Sequence, residues 1–538
     1  MARASWSTGR IAFAVLILVG LTIARLVPTY TTFTQTYDEP SHVMCGMAWL
    51  EWSSYEECVD HPPLARVALA LGAYLKGIRT LPAEDDEDPG NPILYSGGQY
   101  FQNLTRARLG NLPFLVLACV VVFLWSNRWF STGAGLWAVL LFVNLPPILG
   151  HAGLATLDIA CTATVLAALY MWMRWLEAPG WGFATGFSLA LAVALLTKFS
   201  SLPFLAVCCA GSLVWVVFVE RSVAFTTTTF RSWMPQGSVV AAITLVVFWA
   251  GYRFDLHPIA RARGVVDFPL PFTEAAHGLW QLYLFNQDGD WGYLFGSVSQ
   301  TGWWGFFPVA VAVKTPIGFL VLAAAGLVVP LLRKRPWQVW MTAAFPIAIL
   351  LVCMASRINL GLRHALAIYP FLAILAGPLV VTGLLSRRRL MVGATALLVG
   401  WVVIDAWKAH PDYMADFNEL AGTRPEQILS ESDLDWGQDL QRLSRRLEAL
   451  GVEDVAIAYF GTARLQEAGL PRYRVLGPTG TATGYVAVSV RLLTLEYAAN
   501  GSYAWLRRLT PIERIGKSID LFFVAEQPGP SRHEAPVK

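Results

Sequence analysis

From residue 11 to residue 42 the chain reads IAFAVLILVGLTIARLVPTYTTFTQTYDEPSH. An apolar segment gives way to a polar turn that ends on two adjacent carboxylates, Asp38 and Glu39. A helix needs about 20 apolar residues to cross the hydrocarbon core of a bilayer. The first part of the stretch meets that need. It has Arg3 and Arg10 ahead of it and no small-residue cleavage site, so it reads as a retained first helix rather than a removed leader. The acid pair then stands just beyond the membrane surface.

Working outward, similar apolar runs recur near residues 106 to 125, 133 to 150, 155 to 174, 181 to 197 and 202 to 219. Others lie near 237 to 252, 315 to 332, 337 to 355, 365 to 385 and 390 to 407. That makes about eleven spans in a mainly α, polytopic membrane helix bundle. Composition agrees. Of 538 residues, 55% are hydrophobic and 14% charged, and the mean hydropathy is +0.49; average soluble chains carry about 25% charged residues. A net charge of +3 in scattered short clusters argues against nucleic acid as a partner. Membrane lipids are the implied surroundings.

Lys and Arg concentrate in cytoplasmic loops. With the N-terminus inside, the inner loops carry Arg128, then Arg174, then Arg221 with Arg231, then Arg333, Lys334 and Arg335, then Arg387, Arg388 and Arg389. Every inner loop is then basic, and an odd number of spans puts residues 408 to 538 outside, in the periplasm or extracellular space of a bacterial-type plasma membrane. Domain organisation follows: a membrane domain over residues 1–407, with long outer loops at 29–105 and 253–314, a soluble outer domain at 408–527, and a disordered end at 528–538. In the outer domain, Leu440, Leu443, Leu447 and Leu450 repeat at helical spacing, and residues 455–459, 485–490 and 521–524 look like buried strands, so an α/β fold is expected. The aromatic run Trp303, Trp304, Phe306 and Phe307 reads as a short interfacial helix.

Several residues on the outer side could carry chemistry. A carboxylate such as Asp38 or Glu39 can take a proton from an acceptor hydroxyl or amine; the competing reading is that Asp38 caps a helix that begins at Pro40. His61, ahead of Pro62 and Pro63, and Arg66 lie where a phosphate could be met. Asp158 is an acid at the outer end of a span, and acids placed there default to function, against the alternative of helix capping. Lys198, Lys314, Arg357, Arg363 and His364 gather on the same outer face, a set suited to a lipid phosphate, while snorkelling explains any one of them singly. Asp433-Leu434-Asp435 matches the short acidic motif that holds metal and nucleotide sugar elsewhere, but it lies outside, and Asp435 also suits a helix start. Of seven cysteines, Cys45 and Cys58 alone lie outside the apolar runs, in one outer loop. A disulfide between them and two free thiols are both open readings. Asn103-Leu104-Thr105 and Asn500-Gly501-Ser502 match glycosylation acceptors by triplet alone.

Tyr37-Asp38-Glu39-Pro40, His61-Pro62-Pro63-Leu64, Thr156-Leu157-Asp158, Leu196-Thr197-Lys198, and Asn359-Leu360-Gly361-Leu362-Arg363-His364 with Tyr369-Pro370 occur in an order and spacing that resemble glycosyltransferase family 39. That group holds protein O-mannosyltransferases and the aminoarabinose transferases that modify lipid A. The resemblance implies the GT-C architecture and a polyprenyl-phosphate sugar donor. It implies Asp38 as the essential carboxylate with Glu39 its partner, Asp158 as a second site acid, and His61 facing phosphate. A divalent metal stays open, since some GT-C enzymes use one and others do not. Phe417 to Gly422 and Ser432 to Gly437 are similar to the exterior domain of uncharacterised bacterial members and depart from the MIR-type domain of the O-mannosyltransferases. The acceptor, whether protein, lipid or glycan, is therefore unassigned.

The expected activity is transfer of a sugar from a polyprenyl-phosphate donor to an acceptor on the non-cytoplasmic side, with inversion and a carboxylate base. Two rivals remain from other classes. A transporter or flippase of a lipid-linked glycan would show hydropathy symmetry between halves, and none is visible. A non-catalytic scaffold would keep partner binding after Asp38→Ala.

Overall fold

The computed structural model describes residues 8–52, 55, 58–83, 88–219, 227–261, 264–332 and 335–525. The expectations that fall on Arg221, Arg333, Lys334, the start of the acidic stretch at Glu84, and residues 528–538 lie outside the described residues. All eleven apolar stretches are helical. Eight helices are long and apolar enough to cross a membrane, among them Gly9–Thr31, Tyr100–Trp129, Asp158–Glu177, Leu362–Leu384 and Arg389–Lys408. Trp181–Leu195 and Ile317–Leu332 are shorter.

One expected span is broken. Residues 133 to 150 read as a continuous helix, whereas Thr132–Phe142 and Pro146–Ala152 meet at 68°. Leu145 is extended, and Pro146 and Pro147 start the second helix. Proline forces its predecessor out of the helical region and lacks the N–H that the turn before it needs. His151, in the second of these helices, is buried.

Two short helices, Glu39–Glu51 and Pro63–Leu75, lie against each other on the outer side. They approach at Gly46, where a side chain would run into the backbone carbonyl of Arg66. Cys45 and Cys58 are disulfide-bonded, tying the first helix to the turn before the second. Between the spans ending at Gly251 and beginning at Phe306, the second outer loop carries the strand pair Leu256–Arg261 and Gly264–Pro271, the helix Thr273–Asp288, and the small pair Gly292–Leu294 and Ser297–Ser299. The aromatic run only partly lies along a surface. Trp304 is 76% exposed, but Phe306 and Phe307 are buried at the start of the helix Phe306–Lys314.

The outer domain is α/β. Its five-stranded sheet runs Arg472–Val475, Asp454–Ala458, Gly484–Ser489, Ile519–Val524, Glu513–Ile515 from edge to edge. The first three strands are parallel and the rest antiparallel. Leu440, Leu443 and Leu447 of the helix Leu440–Ala449 pack on this sheet, while Leu450 ends the helix partly exposed. The two edge strands, short and polar, carried no strand signal in the sequence.

One buried ion pair joins four separate segments. Arg108 Nε and one terminal nitrogen donate to Glu39 Oε1 and Oε2, each at 2.8 Å, and both side chains have no exposure. The same guanidinium donates to the carbonyls of Tyr30 (2.8 Å), Phe33 (3.1 Å) and Thr34 (2.9 Å). Glu39 in turn accepts from the backbone N–H groups of Ala155 and Thr36, each at 2.7 Å. Breaking a buried pair from one side strands a charge. Arg108→Met is therefore expected to cost about 3 to 5 kcal/mol of stability, read as a lower melting temperature of the detergent-purified protein. An unchanged melting temperature would mean that the pair does not hold these segments together.

Candidate active site

A cavity of about 910 Å³ opens at the outer end of the bundle. The helices Ser201–Val214 and Trp337–Met354 and the roofing helix Thr273–Asp288 present Pro203, Phe204, Val352, Leu279, Leu282 and Phe285. The lining also carries the polar side chains of Asp38, Asp60, His61, Lys198, Arg363 and His364.

Asp38 occupies the N-cap position of Glu39–Glu51, yet its side chain makes no cap hydrogen bond. Its carboxylate instead accepts from Arg363 at 2.6 Å across more than three hundred residues of chain. That contact decides between the capping reading and the site reading of Asp38 in favour of a side chain turned into the cavity. Arg363 comes from the turn that follows Asn359 to Gly361 and opens the buried span Leu362–Leu384. Its guanidinium lies 4.4 Å from the ring centre of Trp436, a residue of the outer domain.

Asp158 stands behind the wall rather than on it. Its Oδ1 accepts from Lys198 Nζ at 2.6 Å, with both side chains almost fully buried. Lys198 lines the cavity, and Arg363 feels both Asp38 and Asp158. The two acids expected to share a site thus belong to one cluster of charges, with Asp158 acting through Lys198.

Two imidazoles complete the polar wall. His61 Nδ1 and His364 Nε2 are buried and have no hydrogen-bond partner among the described residues. A buried polar atom without a partner calls for an explanation, and in a cavity a ligand supplies one. Burial, with Arg66 and Lys198 nearby, pushes His61 well below the usual histidine value, so its ring is neutral. His42, 5.9 Å away between ring centres, is lowered in the same way by burial and by Arg66.

Four of the expected site residues are engaged elsewhere. Glu39, expected as the partner of Asp38, is spent on Arg108 and two backbone amides, leaving it nothing to offer a substrate. Arg66, expected to meet phosphate, is fully buried and holds the turn before it. It donates to both oxygens of Asp60, at 2.9 and 2.6 Å, and to the Cys58 carbonyl at 2.7 Å. Lys314 points into the outer domain and donates to the carbonyls of Met414 (2.6 Å) and Asp433 (2.5 Å); burial lowers it to about 8. Arg357 is exposed and donates to the Gln287 carbonyl at 2.7 Å. Residue type alone cannot tell a side chain that bonds backbone groups from one left for a ligand. The cavity also holds Asp60, Asn286 and Asp290, which the sequence gave no reason to single out.

The acidic motif of the tail has structural partners. Asp433 Oδ1 accepts the Leu362 N–H at 3.0 Å. Asp435 accepts those of Gly437 (3.2 Å) and Arg491 (3.0 Å), and burial raises Asp435 to about 7. Among the described residues no group of three His, Cys, Asp or Glu side chains is placed to hold a metal ion. Asn103, in one of the glycosylation triplets, is buried and donates to the carbonyls of Leu94 and Ser96, each at 3.0 Å, so it is not open to modification.

Helices of the bundle and the helix Thr273–Asp288 together enclose this cavity. Residues 24–257 match the family model described as Dolichyl-phosphate-mannose-protein mannosyltransferase. Among solved structures, ArnT from Cupriavidus metallidurans bound to undecaprenyl phosphate matches with a TM-score of 0.53 at 13% identity, covering 98% of this chain and 100% of that one. Its apo form matches at 0.52 and 12% identity, covering 96% and 98%. The Pmt1-Pmt2 complex of S. cerevisiae bound to the sugar donor matches at 0.36 and 14% identity, over 46% of this chain and 34% of that one. No curated protein sequence matches the chain. The resemblance to glycosyltransferase family 39 is matched by a family model over less than half of the chain, and over nearly its whole length the chain shares the membrane-bundle fold of ArnT.

The neutral state of His61 has a consequence for stability. The unfolded chain takes up a proton at this residue near 6.5, the folded protein only at much lower pH. Between those limits the unfolded state binds more protons, so stability falls as pH falls. The melting temperature is expected to drop between about pH 7.5 and about pH 5.5, and His61→Gln should flatten that slope. Equal slopes in both proteins would show that His61 is not held neutral.

Proposed function

We propose that the chain transfers a sugar from a polyprenyl-phosphate donor to an acceptor on the non-cytoplasmic side. The observation that carries this reading is the cavity whose lining brings Asp38, Arg363 and Lys198 together with aliphatic and aromatic side chains. An isoprenoid phosphate has the same combination. Its apolar chain suits the helices at Phe204 and Val352, and its phosphate suits a guanidinium and an ammonium. The solved relative bound to undecaprenyl phosphate supports the same donor class. Basic inner loops support an outward-facing site in a bacterial-type plasma membrane, with the N-terminus cytoplasmic.

In the proposed step, Asp38 accepts the acceptor proton as the acceptor oxygen or nitrogen attacks the anomeric carbon. The bond from that carbon to the phosphate oxygen breaks, and the electron pair leaves with the polyprenyl phosphate. Attack from the face opposite the leaving group inverts the anomeric centre. Arg363 and Lys198 stabilise the charge that accumulates on the phosphate, the larger part of the work in such a transfer. The second Asp38 oxygen, Oδ1, has no hydrogen bond among the described residues, which suits it to the proton. Asp158 orients Lys198 through their buried ion pair. His61 and His364 turn unpartnered ring nitrogens toward the sugar.

Asp38→Asn is expected to lower transfer by roughly 10²- to 10⁴-fold, the usual range for a lost general base, with the protein still folded and still able to bind undecaprenyl phosphate. Deletion of the gene should raise the level of a polyprenyl-phosphate sugar in lipid extracts analysed by mass spectrometry. Full transfer by Asp38→Asn would remove Asp38 as base, and an unchanged lipid and glycan profile under expressing conditions would count against the enzyme reading as a whole.

A further inference from the structure

The proposed chemistry leaves the tail stretch Ser432 to Gln438 without a role, yet this stretch bonds to both sides of the Asp38 and Arg363 pair. The N–H of Tyr37, one residue before Asp38, donates to the Trp436 carbonyl at 2.9 Å. The N–H of Leu362, one residue before Arg363, donates to Asp433 Oδ1 at 3.0 Å. Ser432 Oγ donates to the Leu360 carbonyl. The buried Trp436 indole packs on the Arg363 guanidinium. The contact is tight at Gly361, which has φ +104°, and where any side chain would run into Ser432 Oγ. Behind it, the stretch is fixed by Lys314 on the Asp433 carbonyl and by the Arg491 N–H on Asp435.

We propose that Asp433 and Trp436 are positioning residues of the transfer site, which hold the turn bearing Arg363 at a set separation from the turn bearing Asp38. The proposal rests on the reading of Arg363 as a ligand of the donor phosphate. An arginine side chain has many rotamers, and one already held by an aromatic face and a carboxylate loses less freedom when its ligand arrives. A buried indole face also attracts the guanidinium directly. The outer domain thereby contributes to donor binding from residues that do not touch the donor.

The test uses the full-length protein in lipid nanodiscs with undecaprenyl phosphate as the probe and native mass spectrometry as the readout of binding. Arg363→Gln should weaken binding strongly. Trp436→Leu should weaken it roughly 3- to 30-fold, the span of a partly to fully desolvated cation–π contact. Trp436→Phe, which keeps a ring, should stay closer to the parent. Asp433→Ala should weaken binding, whereas Asp433→Asn, which keeps an oxygen for the Leu362 N–H, should restore most of it. In an Arg363→Gln background, Trp436→Leu should cost nothing further, a result that general loss of folding would not give. Equal losses in both backgrounds, or parental binding by Trp436→Leu and Asp433→Ala while Arg363→Gln is impaired, would overturn the positioning role alone. Parental binding by Arg363→Gln would overturn the phosphate reading, and with it the purpose of the clamp.

Discussion

The buried pair between Glu39 and Arg108 is the constraint on which the outer half of the molecule depends. Two charges removed from water are tolerated only when geometry and further hydrogen bonds satisfy them. Here Glu39 accepts from Arg108, Ala155 and Thr36, and Arg108 also binds the carbonyls that follow the first span. The exit of the first span, the helix after it, the helix Tyr100–Leu109 and the turn before Asp158 therefore cannot move independently. Successive residues of a helix point about 100° apart. With Glu39 locked inward, Asp38 is turned toward the cavity. Two neighbouring acids thus divide their roles, one fixing the framework and the other left for chemistry.

The same sorting applies to the cations. Arg66 is tied to Asp60 and Lys314 to carbonyls of the outer domain. Arg357 lies outside the cavity wall. Lys198 and Arg363 are what remains on the wall, and each is paired with an acid, Asp158 or Asp38. Such pairs keep buried charges in place until an anion arrives. In the proposed reaction the incoming phosphate competes with Asp38 for Arg363. Binding of the donor would then loosen the contact that holds the Asp38 carboxylate.

The membrane architecture was legible because apolar length and loop charge are coarse signals that every span repeats. The broken span was not read because Pro146 and Pro147 sit in a run whose hydropathy never falls, so the break is visible only in backbone geometry. The outer sheet was legible at its apolar inner strands and missed at its polar edges, Arg472–Val475 and Glu513–Ile515, where pairing and not composition makes the strand. In the site, motif order brought Asp38, Asp158, Lys198, Arg363 and His364 to one region. Which carboxylate of the adjacent pair faces the cavity depends on Arg108, a residue of another helix that had no motif around it. For the same reason the acidic tail motif matched a metal signature, while Asp433 Oδ1 and both Asp435 oxygens accept from backbone amides.

The position of the cavity explains why the site needs both a bundle and an outer domain. Its apolar wall is made by helices that end near Pro203 and Ala355, while its charged wall is made by loops that water can reach. A loop carrying Arg363 has little helical structure of its own to fix it, since Leu362–Ile368 is a short 3-10 turn. Contacts from the outer domain fix it: Asp433 and Ser432 bond to the turn, and Phe460 stacks on Tyr37 beside Asp38 with ring centres 5.1 Å apart. A site built at the edge of a bilayer gains access to an amphiphilic donor but loses half of its surrounding packing, and here a second domain restores it.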